Sequence, residues 1–170
     1  MRGERSLRTR AAIRRTASAA VNEAVVWGAI ALAALNAPAA LYGAFRWWRG
    51  GPSRAFWVLL RIGQVAALVY VIAIGVLAAA GHYSSERLFY LYALLPVAVA
   101  FIAEQFRVAA AQSILDQRGL EGARAVGDLQ EHEQREIVAL VLRREMGVMA
   151  LSAAVVVFLA LRAAATAHGF

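Results

Sequence analysis

The sequence predicts an all-α, polytopic membrane protein: a four-helix transmembrane bundle with helices three and four extended into a water-facing hairpin stalk. Three observations carry this. The chain is 61% hydrophobic and only 17% charged over 170 residues, too little polar surface to cover a soluble core of that size. Four apolar runs, at 24–45, 55–80, 88–103 and 146–164, approach or exceed the roughly 20 helical residues that cross about 30 Å of hydrocarbon. The first three are separated only by short segments holding Gly50, Gly51, Pro52 and Gly81. The expected spans are therefore about 22–47, 55–80, 88–107 and 143–164, with the stalk at about 108–142. The expected location is a membrane, as a multi-pass protein of a bacterial plasma membrane.

Composition also excludes chemistry. There is no cysteine, so disulfides, thiolate metal sites and cysteine nucleophiles are ruled out. All 18 basic residues are arginine, which removes Schiff-base and lysine general-base mechanisms, since arginine stays protonated. The net charge of +7 would suggest nucleic acid in a soluble chain. In a membrane protein it points instead to anionic lipid headgroups, and no nucleic-acid partner is expected.

Residues 1–21 form a basic segment: "MRGERSLRTRAAIRRTASAA" holds six arginines and one glutamate. It reads either as a basic amphipathic helix on the headgroups or as a disordered tail. The apolar run after it, about 22 residues long, exceeds an ordinary signal h-region, so it is expected as a retained span.

Span one carries Asn36 and Pro38 near its middle, where proline removes a backbone hydrogen bond and predicts a kink. Ala39 and Gly43 form a small-xxx-small pair for close helix packing, as do Gly63 and Ala67, then Gly75 and Ala79, in span two. "RWWRGGPSR" is a tight basic loop. It sets Trp47, Trp48 and Trp57 at interfacial depth and Arg46, Arg49 and Arg54 against headgroups. "GHYSSER" is the turn into span three, which begins with Phe89, Tyr90 and Tyr92 at the opposite interface.

"VAFIAEQFRVAAAQ", residues 99–112, passes from apolar to polar without a break. At 1.5 Å per residue, Glu104 lies about 24 Å from Leu88, near the far edge of the hydrocarbon. The helix continues with Phe106, Ala110 and Ile114 on one face, so the polar residues mark the exit into the stalk. "LQEHEQREIVALVLRREMG" returns through Ile137, Leu140 and Val141 into span four, with Arg143 and Arg144 reaching headgroups. Arginines on the two sides nearly balance. Two arginine-bearing connections favour a cytoplasmic stalk, whereas the basic N-terminal segment favours the reverse.

Ionisable side chains inside spans are functional candidates because each is costly in lipid unless paired. Arg61 lies about 28 Å from the Ala80 end of span two and Glu145 about 27 Å from the Ala163 end of span four. With Glu104 they share one layer, and Gln64 lies one turn deeper than Arg61. Two readings stand side by side. The layer binds an ion, a proton or an anionic headgroup; or the charges neutralise each other at the bundle edge. Asn36, the deepest polar side chain, is a further ligand candidate, or it caps the backbone freed by Pro38 or hydrogen-bonds between helices.

Haem is not expected, since His82, His132 and His168 cannot face one another across a core. "EHEQREI" lacks the second histidine of a zinc set and reads as a solvated helix start. No cofactor or metal is expected, and no phosphate loop, dinucleotide glycine pattern or serine elbow occurs. Three functions follow: an assembly or accessory subunit, forming a homo-oligomer or joining a partner membrane protein; a small oligomeric channel or transporter using the Arg61, Gln64, Glu104 and Glu145 layer; and a lipid-modifying enzyme, supported only by scattered carboxylates and Tyr90 or Tyr92.

Overall fold

The structure is a computed structural model. It describes the backbone of residues 2–51 and 53–168, and side chains from residue 16 onward within those ranges except at positions 17 and 123. Among these residues there are five helices: α1 (Arg2–Arg49), α2 (Arg54–Ala79), α3 (Arg87–Gln117), α4 (Ala123–Gly127) and α5 (Glu131–Thr166). All but α4 contain a stretch long and apolar enough to cross a membrane.

The outside of the bundle settles its medium. Leu41, Leu151 and Phe101 are 74%, 67% and 65% exposed, and exposed apolar side chains cover every span. A soluble bundle would turn polar residues outward. The chain is a multi-pass, all-α membrane protein.

At 48 residues, α1 is about 72 Å long, more than twice what a span needs. Its helix runs through the basic segment into the span without interruption. Pro38 sits inside it on the exposed side, while Asn36, two residues earlier, is buried.

α2 starts at Ser53, whose Oγ accepts the Phe56 N–H and donates to the Tyr42 hydroxyl at 3.1 Å. Its buried residues are Phe56, Leu60, Gly63, Ala67, Tyr70 and Ile74. That alternating four- and three-residue spacing makes one seam of a left-handed packing. The seam faces α1: the Tyr70 ring lies over Gly28 and its hydroxyl donates to the Val25 carbonyl at 3.4 Å.

α1 and α5 are the central pair, with α2 against α1 and α3 against α5; the α2–α3 seam is thin. Two apolar clusters fill the interior. One, near the α2–α3 turn, contains Leu32, Tyr70, Ile74, Phe89 and Val156. The other, toward the stalk, contains Phe56, Leu60, Met146 and Met149. Small residues let the central helices approach: Ala29, Ala33, Ala39 and Ala40 of α1 and Ala153, Ala160 and Ala163 of α5 are all buried.

Ser84 and Ser85 hydroxyls both donate to the His168 carbonyl, tying the α2–α3 turn to the end of α5. At the other end, α3 and α5 continue as the stalk, with Ile114 and Ile137 buried and Arg118 paired to Glu136 at 2.9 Å. The stalk tip holds α4, an element the sequence reading did not anticipate. α5 then opens with a capping box between Gln130 and Glu133, and carries Glu131 and Glu133 in its first turn, where carboxylates meet the positive helix end.

Candidate functional site

Charged side chains of α2, α3 and α5 meet at the α2–α3 seam. Arg61 Nη1 donates to Glu104 Oε1 at 2.8 Å and to Gln64 Oε1 at 2.6 Å. Gln64 Nε2 also donates to Glu104 Oε1, at 3.2 Å. The second carboxylate oxygen is taken by Arg107, whose Nε donates to Glu104 Oε2 at 2.9 Å. Arg107 Nη1 then lies 3.6 Å from Glu145 Oε2, an ion pair beyond direct hydrogen-bond length. Arg61 thus reaches Glu104 and not Glu145, which joins through Arg107.

Arg107 is the member that depth arithmetic missed, because the polar run 104–107 reads as the exit from lipid. The signal was present in the i,i+3 spacing of Glu104 and Arg107, which puts opposite charges on one helix face. Its guanidinium also stands 5.9 Å from the Trp57 ring centroid, within cation–π range.

Two arginines face two glutamates, so the layer is neutral. Both oxygens of Glu104 hold charge-assisted hydrogen bonds. Exposure grades across the layer: the side chains of Arg61, Arg107, Glu104 and Glu145 are 56%, 32%, 25% and 13% exposed. The cluster therefore clamps the seam where α2 and α3 otherwise touch little.

Asn36 is not part of this layer. Its Nδ2 donates to the Leu32 carbonyl at 2.9 Å and across to the Gly63 carbonyl of α2 at 3.3 Å. It therefore does not cap Ala34, whose carbonyl Pro38 leaves without a donor. Gly63 is required here, since a Cβ would collide with the Asn36 amide. Ala39, Gly43 and Ala67 are likewise buried between helices of this chain, which closes them to a partner protein.

The stalk-side arginines differ among themselves. Arg46 Nε donates to the Gly51 carbonyl at 3.3 Å and Arg49 lies over Phe45. Arg54 is exposed at the start of α2. Arg143 and Arg144 are exposed and have no acidic partner among the described residues. No group of three or more histidines and carboxylates suited to a metal ion occurs among the described residues. Phe56, Leu60, Met146 and Met149 at one level and Phe89 at the other are fully buried and fill the interior.

No family model matches the chain, and no curated protein or solved structure matches it either.

Proposed function

We propose that the protein is a non-enzymatic accessory subunit: a four-span anchor whose stalk docks a basic, amphipathic helix of a partner membrane protein. One observation carries this. Beyond the charged layer, the stalk holds an open groove of about 340 Å³ lined by Ala111, Leu115, Val126, Ile137, Val138, Val141 and Leu142. Val138 is still 49% exposed there. An apolar strip at this level suits the apolar face of another helix.

Charge selects the partner. Residues 108–142 contain three arginines and six acidic residues, a net −3, in a chain of net +7. A second copy would bring two acidic stalks together, whereas a helix with basic flanks is attracted. The transport and lipid-enzyme readings draw less support, because the carboxylate at the centre of the layer is already held by two arginines.

The chain has no cysteine, so an environment-sensitive fluorophore can be attached at Val138→Cys alone. In zwitterionic nanodiscs, a leucine–lysine amphipathic peptide should shift its emission saturably, and added salt should weaken the effect. A leucine–glutamate peptide should give no shift, nor should a label at Leu161→Cys respond to either peptide. Equal responses to both peptides, or a shift that depends only on the protein's own concentration, would overturn the reading.

A further inference from the structure

We infer that the groove at the base of the stalk, between Trp47, the Arg118 cap of α3 and the arginines of α5, binds the phosphodiester headgroup of an anionic phospholipid. It is an open depression of about 350 Å³, separate from the apolar stalk groove, and it gathers Arg118, Arg143 and Arg144. Arg118 is engaged by Glu136 at 2.9 Å. Arg143 and Arg144 have no salt bridge among the described residues. Three guanidinium groups against one carboxylate leave the groove at +2. Guanidinium is the side chain best matched to phosphate oxygens, because its fork donates two parallel hydrogen bonds.

Depth fits a lipid ligand. Arg143 and Arg144 directly precede Glu145, which lies about 27 Å from the far end of its span. They therefore stand where the hydrocarbon ends and phosphates begin. Trp47 marks the same level, as tryptophans do at headgroup depth. Its indole packs over Gly147, where a Cβ would come within 2.9 Å of Nε1, so the ring is held as a wall.

The lining is also amphipathic in the required sense. Ile114 and Leu140 supply apolar surface beside the arginines, which can take the glycerol end of the acyl chains. Bulk headgroups would be met by any snorkelling arginine. Convergence of three arginines, Arg118 capping α3 and Arg143 and Arg144 in α5, on one concave, half-apolar site is what distinguishes a bound lipid from a general charge belt. Arg46, Arg49 and Arg54 do not line this groove.

The test is lipid retention by the full-length chain, read by native mass spectrometry. Protein purified from mixed phosphatidylcholine and phosphatidylglycerol should keep one phosphatidylglycerol after delipidation. Arg143→Gln with Arg144→Gln should reduce that retention at least tenfold, and Arg118→Gln should reduce it less but in the same direction. Arg162→Gln, at the other end of α5, should leave it unchanged. Melting of each variant in phosphatidylcholine alone confirms the fold, because these arginines are solvent-facing. Equal retention by the double variant, equal loss in Arg162→Gln, or displacement of the lipid by millimolar inorganic phosphate would each overturn the assignment, the last in favour of a soluble phosphate ligand.

Discussion

Replacing Glu104 with glutamine should lower unfolding stability by about 1.5–3 kcal/mol, the range for hydrogen bonds to charged groups. The carboxylate accepts from Arg61, Gln64 and Arg107 together. Glutamine keeps the shape but removes the charge, leaving Arg61 near the hydrocarbon edge without its counter-ion and Arg107 with Glu145 alone, at 3.6 Å. The two losses are unequal. The Arg61 side chain is 56% exposed and can swing to headgroups, while that of Arg107 is 32% exposed and is enclosed by Trp57 and Glu145. Double-mutant cycles in mixed micelles should therefore give a larger coupling for Glu104 with Arg107 than with Arg61, where about 0.2–1 kcal/mol is typical of an exposed pair. A Glu104→Gln protein as stable as the wild type would mean that solvent and headgroups replace the cluster at no cost.

Gly43→Leu should cost about 2–3 kcal/mol, the upper part of the usual overpacking range. A Cβ at this position would overlap the Phe56 ring and come within 2.8 Å of the Ala150 Cβ. Phe56 is fully buried and Ala150 has no side chain to turn away, so relief needs a backbone shift of α1 against α2 and α5. Gly75→Leu supplies the control on a neighbouring span. Nothing lies within 4 Å of a Cβ there, and the change should stay within about 0.5 kcal/mol. Comparable losses at both glycines would show that helix propensity or lipid contact, and not interhelical packing, governs these positions.

The contrast between Gly43 and Gly75 also shows what the sequence can reveal. Span number was legible because hydrocarbon thickness converts directly into residue count, and the continuation of α3 past the span because Phe106, Ala110 and Ile114 keep one helical face. The same arithmetic put Arg61 and Glu104 at one depth. It could not say which face each side chain uses, and so could not show that Arg107 stands between Glu104 and Glu145. Glycine spacing was equally blind to direction. Gly63 and Gly43 lie inside the bundle and Gly75 outside, although all three sit in the same kind of small-residue pattern. The alanines of α5 that line the core drew no notice, since alanine is too frequent in this chain to mark a face. α4 was illegible for a different reason: a helix of five residues has no periodicity to read.

The central claim is that the charged layer holds the bundle together and opens no route across it. The most direct measurement is proton and potassium flux into liposomes containing the purified chain, wild type and Glu104→Gln side by side. The account predicts fluxes indistinguishable from protein-free liposomes for both proteins, with the variant altered only in stability. Flux through the wild type that Glu104→Gln abolishes, while the fold is retained, would contradict it.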